Sequence, residues 1–64
     1  MNYNLRFKKK NERGYWCTSI YADTDEQAID EAKEYLNRDD VEKIILEKLE
    51  YKYKQVYRED KNNG

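Results

Sequence analysis

The sequence predicts an α+β fold: an antiparallel three-stranded sheet of order 2-1-3, formed in the chain order β-β-α-β, with one helix packed on one face. Three observations predict it. Apolar and polar residues alternate over 2–8, a capped helical stripe runs over 25–37, and strand-forming residues dominate 43–57. Because 64 residues hold one core at most, we expect a single domain over 1–58 and a flexible tail at 59–64.

The first two strands are expected to form a hairpin. Tyr3, Leu5 and Phe7 point one way along the first strand, with polar neighbours between them. The polar stretch 9–14, which ends in Gly14, indicates the hairpin loop.

The second strand, residues 15–22, is rich in β-branched and aromatic side chains. Both of its faces are apolar; we assign the one with Trp16, Thr18, Ile20 and Ala22 to the core. Cys17, in mid-strand with no base near it in sequence, is expected to be a buried structural thiol rather than a nucleophile.

A helix over 25–37 follows from a capping box. The Thr24 hydroxyl is expected to accept the Gln27 N–H, and the Gln27 side chain to reach back to the Thr24 N–H. Asn37 is expected to end the helix, since Asn tolerates the left-handed conformation. The buried stripe comprises Ala28, Ile29, Ala32, Tyr35 and Leu36.

Residues 41–58 allow two interpretations. Glu and Lys content favours a helix, whereas the β-branched and tyrosine residues favour extended structure, which we adopt. Ile44 and Leu46 have the opposite parity from Leu49 and Tyr51. Extended structure therefore needs a bulge, two strands, or burial of both faces.

Composition excludes several functions. The chain has no His and one Cys, so it lacks an easy proton shuttle, a zinc ligand set and an internal disulfide; we predict no enzyme activity, cofactor or metal. Its aspartates (Asp23, Asp25, Asp39 and Asp40) lack EF-hand spacing and are expected to be caps and loop residues. No apolar stretch suits a membrane span or a signal peptide, which predicts a cytoplasmic protein.

The net charge of −1 conceals a pattern. Residues 1–16 carry five bases and one acid, residues 17–42 two bases and nine acids, and residues 43–64 six bases and four acids. Two differently charged surfaces are therefore candidates for partner binding. They are the basic hairpin (Lys8, Lys9, Lys10 and Arg13) and the acidic helix stripe (Glu26, Asp30 and Glu34).

Tyr51, Tyr53 and Tyr57 are predicted to share one strand face. Tyrosine is enriched at interfaces, so this face is a candidate homodimer interface, or else it only covers the sheet.

The stretch Ser19-Ile-Tyr-Ala-Asp-Thr-Asp-Glu-Gln-Ala-Ile-Asp-Glu-Ala-Lys33 resembles a strand-to-helix turn found in small proteins of phages and mobile elements, including anti-CRISPR and other anti-defence inhibitors. The resemblance implies a non-enzymatic protein that binds and blocks a host protein or complex. Two alternatives stay open: a small nucleic-acid-binding accessory protein that uses the basic hairpin, and a purely structural oligomerisation module.

Overall fold

A computed structural model describes residues 1–61, which form four strands and one helix. The elements are β1 (Asn2–Lys9), β2 (Trp16–Tyr21), α1 (Asp25–Leu36), β3 (Val41–Leu49) and β4 (Tyr53–Asp60). All neighbouring strands are antiparallel, in the order β2-β1-β3-β4. The α+β class is confirmed, but the prediction of a three-stranded sheet of order 2-1-3 is wrong, because the chain from 41 to 60 forms two strands.

The fourth strand was missed because nothing in residues 50–52 signals a turn. The segment contains no Gly, Pro or Asn, and the alternation of Leu49, Tyr51 and Tyr53 continues straight through it. In the structure the Glu50 N–H donates to the Lys52 carbonyl over 3.3 Å, and the chain reverses there.

One face of the sheet lies under α1, and the core forms between them. The buried residues there are Tyr3, Leu5, Phe7, Ile20, Ala22, Ala28, Ala32, Leu36, Val41, Ile44 and Leu46. The other side of the sheet, called the open face below, has no helix over it. Ile45 is nonetheless buried on it, between Arg6 and Arg58 of the neighbouring strands, whose aliphatic stems can shield it.

The core-face assignment for β2 is confirmed by Ile20 and Ala22, which are buried. Trp16 belongs to the same face but is 51% exposed, since α1 packs mainly over β3 and leaves the far end of β2 bare. Cys17 lies on the open face and is exposed, so the prediction of a buried thiol is wrong.

A bulge in β4 separates the three tyrosines. Leu46 pairs with Tyr57 and Glu47 with Gln55, so Val56 is an extra residue that reverses the alternation. Tyr57 therefore points toward the helix side with Leu46, whereas Tyr53 pairs with Leu49 on the open face. Tyr51 lies in the turn and is fully exposed. The prediction that they share one face is wrong.

The helix begins nearly as predicted. The Thr24 hydroxyl accepts the Gln27 N–H at 3.2 Å, but the Gln27 side chain accepts the N–H of Asp23 instead of that of Thr24.

Asn37 is the C-cap with φ −73°, a right-handed conformation rather than the left-handed one expected. In the β1–β2 loop the left-handed residue is Asn11, with φ 65°.

The C-terminal boundary also differs. β4 continues through Asp60, and the Lys61 N–H donates to the Glu42 carbonyl at 2.8 Å, so 59–61 are held by the sheet. The rest of the predicted tail, 62–64, lies outside the described residues. Within residues 1–61 no helix has the length and apolarity needed to cross a membrane.

Candidate functional site

The outer edge of β2 offers unpaired backbone groups. Met1 and Ala22 exchange two hydrogen bonds, of 2.9 and 3.1 Å, which fixes the phase of the antiparallel ladder between β1 and β2. Hydrogen-bonded and non-hydrogen-bonded pairs alternate along an antiparallel ladder. Counted from the pair Met1–Ala22, the backbone N–H and C=O groups of Cys17, Ser19 and Tyr21 therefore point away from β1. These groups face outward and make no hydrogen bond within the described residues.

This edge lacks the protection that sheet edges usually carry. Natural edge strands discourage pairing with other chains by charged side chains, proline or bulges. β4, at the opposite edge, has Lys54, Arg58 and Glu59 together with its bulge. β2 has the sequence Trp-Cys-Thr-Ser-Ile-Tyr, without a charge or a proline, and its register with β1 is regular.

Two large aromatic side chains flank the edge. Trp16 is 51% exposed on the helix side at the start of β2, and Tyr21 is 73% exposed on the open face at its end. Exposed aromatic residues beside unpaired strand groups are typical of surfaces that bind another polypeptide.

A groove of about 350 Å³ runs between the end of β2 and α1. Its lining comprises Tyr21, Ala22, Gln27, Asp30, Glu31 and Glu34. No ion pair joins these three carboxylates to a described basic residue, so the groove presents uncompensated negative charge. Of the predicted acidic stripe, Asp30 and Glu34 line this groove; Glu26 is exposed but does not contribute to the lining.

The four residues of the basic hairpin do not form one surface. Lys8 lies on the open face and pairs with Glu42. Lys9 lies on the helix side, with its Nζ 3.6 Å from Asp40 Oδ2 and 5.0 Å from the centre of the Trp16 ring. Lys10 and Arg13 extend from the loop and are exposed.

Internal pairing on the open face weakens the case for nucleic acid. Arg6 pairs with Glu47 at 3.2 Å, and the Tyr15 ring lies 5.6 Å from the Arg6 guanidinium carbon and 5.9 Å from Lys43 Nζ. Phosphate binding needs free cations and base stacking needs free rings. Here both are partly occupied by the chain's own side chains.

The candidate tyrosine interface does not assemble. Tyr53, 56% exposed, lines a shallow cavity of about 260 Å³ on the open face with Leu49, Asn4 and Ser19. Tyr57 packs on the opposite side, where Lys33 of the helix lies 5.3 Å from its ring centre. A dimer built on all three rings is therefore incompatible with the register of β4.

Within residues 1–61, no three His, Cys, Asp or Glu side chains come close enough together to hold a metal ion. The groups with shifted pKa values owe their shifts mainly to burial and to hydrogen bonds within the fold. Burial, followed by a hydrogen bond to Asp25, raises the pKa of Tyr3 to about 12. A hydrogen bond to Glu59 is the main cause that raises the pKa of Tyr57.

Sequence reasoning missed the β2 edge, although its signals were present. The expected order 2-1-3 already put the second strand at an edge, and residues 16–22 carry no charge in a chain that is 42% charged. The two observations point to an interface only when they are combined. Glu31 was missed because the predicted acidic stripe contained only residues spaced four apart along the helix. In the structure Glu31, next to Asp30 in sequence, also lines the groove.

No protein family, characterised protein or solved structure matches this chain.

Proposed function

We propose that this protein is a non-enzymatic interaction module that binds an extended segment of another polypeptide by strand addition to β2. The observation that carries the proposal is the contrast between the two edges of one sheet. β4 is charged and bulged, while β2 is regular and uncharged, and its outer edge has no partner strand within residues 1–61.

Strand addition gives both affinity and selectivity. Main-chain hydrogen bonds to Cys17, Ser19 and Tyr21 bind the added strand, and its alternate side chains meet the groove or the open face. The negative charge of the groove favours a segment that places basic side chains on the helix side. Blocking of a host defence protein, which the resemblance implies, is a narrower form of the same proposal.

Ser19→Pro tests the proposal. The Ser19 N–H faces outward, so proline removes a donor from the free edge without deleting a bond to β1. Ser19→Ala is the matched control, since it keeps the N–H, and Ser19→Lys is a second blocking variant that adds the charge typical of edges.

Tagged wild-type protein and the three variants are used to capture partners from lysate of cells that carry the gene, with identification by mass spectrometry. We expect partners to be retained by wild type and Ser19→Ala and lost with the two blocking variants. With a purified partner, hydrogen exchange of the Cys17, Ser19 and Tyr21 amides should slow. Unchanged capture by folded Ser19→Pro and Ser19→Lys, or amides that stay fast in the complex, would contradict the proposal.

A further inference from the structure

We infer that β2 pairs with β2 of a second copy, antiparallel and with the two-fold axis at Ser19, which forms a continuous sheet across a homodimer. This inference rests on the proposed function, because it names the polypeptide that occupies the same edge.

The phase of the free groups selects the register. Cys17, Ser19 and Tyr21 turn their N–H and C=O outward, and Ser19 is the middle one of the three. An axis at Ser19 pairs Ser19 of one copy with Ser19 of the other. It also pairs Cys17 of each copy with Tyr21 of the other. Each of these pairs exchanges two hydrogen bonds, so every outward group of β2 is satisfied. An axis at Cys17 leaves Tyr21 beyond the strand of the second copy.

The same register covers the exposed aromatic rings. It places Trp16 opposite Ala22 of the second copy, on the helix side, where Ala22 lines the acidic groove. It places Tyr21 over Cys17 of the second copy on the open face. Trp16 and Tyr21, both exposed aromatic side chains of β2, thereby lose solvent contact together.

Charge complementarity supports a second copy as the occupant. Lys9 lies against the Trp16 ring on the helix side, so it approaches the groove of the second copy together with that ring. The groove there holds Asp30, Glu31 and Glu34, which form no ion pair with a basic side chain of residues 1–61. The two-fold axis repeats the contact at both ends of the β2 pair.

Disulfide trapping tests the register. Cα atoms of a hydrogen-bonded antiparallel pair lie about 5.5 Å apart, which is within the range for a disulfide. Ser19→Cys in a Cys17→Ser background should form a cross-linked dimer in a glutathione redox buffer, of twice the 7.9 kDa chain mass. Tyr21→Cys in the same background is the control, because its two sulfurs would be about 13 Å apart along the strand. We expect Ser19→Cys to cross-link at least tenfold faster.

Sedimentation of the wild type over a range of concentrations tests the assembly without cysteine changes. We expect a monomer–dimer equilibrium that Ser19→Pro weakens at least tenfold and Ser19→Ala leaves unchanged, with Trp16→Ala weakening it as well. A monomer at all concentrations, equal cross-linking at 19 and 21, or a disulfide through native Cys17 in the wild type would overturn the inference. If the wild type is monomeric while Ser19→Pro still loses a captured partner, the proposed function stands and only the self-pairing fails.

Discussion

The Tyr3 hydroxyl donates a hydrogen bond of 2.5 Å to Asp25 Oδ1, which ties the first strand to the first turn of the helix. Lys48 of β3 approaches the same carboxylate oxygen at 3.3 Å. Tyr3 is only 1% exposed, so its phenol group has little access to water as an alternative partner. The contact joins β1, β3 and α1 at one point.

Tyr3→Phe should lower the free energy of unfolding by about 1 kcal/mol, the usual contribution of one hydrogen bond. The ring stays in the core, so packing is preserved. Tyr53→Phe is the matched control, because the Tyr53 ring is exposed and its hydroxyl has no hydrogen bond within the described residues. Urea denaturation measures both. Equal stability of the two variants would show that the Tyr3–Asp25 bond contributes nothing.

The same tyrosine should make the fold sensitive to alkali. Its pKa is raised from 10.0 to about 12, chiefly by burial, so the folded state holds the phenol proton more tightly than the unfolded chain does. This contribution is fully present below pH 10 and is lost as pH rises toward 12. The stability difference between wild type and Tyr3→Phe should therefore shrink from pH 8 to pH 11. A difference that stays constant over this range would contradict the assignment.

Acid should weaken the other end of this bond. The hydrogen bond from Tyr3 is the main cause that lowers the pKa of Asp25 below 3.8, with Lys48 adding to it. The resulting stabilisation is present above the ordinary pKa and is lost as pH falls through the lower folded value. The chemical shift of the Asp25 carboxyl carbon, followed by NMR between pH 6 and pH 2, should titrate at lower pH in the wild type than in Tyr3→Phe, which lacks the hydrogen bond. Titration of Asp25 at the same pH in both proteins would show that the contact is absent in solution.

The helix start has two separable contacts. Thr24→Ala removes the acceptor for the Gln27 N–H and should cost about 1 kcal/mol, as losses of N-caps typically do. Gln27→Ala removes the acceptor for the Asp23 N–H and leaves the Thr24 cap in place, so its effect should be smaller. Thermal unfolding of both variants gives the order. A larger loss for Gln27→Ala would mean that the contact to Asp23 holds the helix start.

The sequence predicted those elements of the fold that depend on residues close together in the chain. The alternation around Leu5 gave β1, and Thr24 gave the helix start, because each depends on neighbours within a few residues. The β3–β4 turn and the bulge at Val56 depend on pairing with distant residues, and no turn residue marks either. The prediction that Tyr53 and Tyr57 share one face was wrong for the same reason, since the extra residue at Val56 moves Tyr57 to the side opposite Tyr53.

Two leucines of β3 differ sharply in the exposure of their side chains. Leu46 is fully buried beneath the helix and pairs with Leu5, whereas Leu49 is 52% exposed on the open face next to the turn. Leu46→Ala should destabilise the fold by about 2–5 kcal/mol through lost burial and the cavity left behind. Leu49→Ala, the same change three residues later, should cost about 0.5 kcal/mol or less.

Chemical denaturation of the two variants distinguishes this arrangement from one uninterrupted strand over 43–57. The turn at 50–52 brings β4 back beside β3 and places Leu49 at the end of its strand, where little packs against it. In one uninterrupted strand, Leu49 would lie on the same face as Tyr51 and Tyr53 and would pack against the sheet together with them. Similar losses for the two alanine variants would therefore contradict the four-stranded sheet. A loss confined to Leu46→Ala is the result expected when Leu49 is exposed at the end of β3.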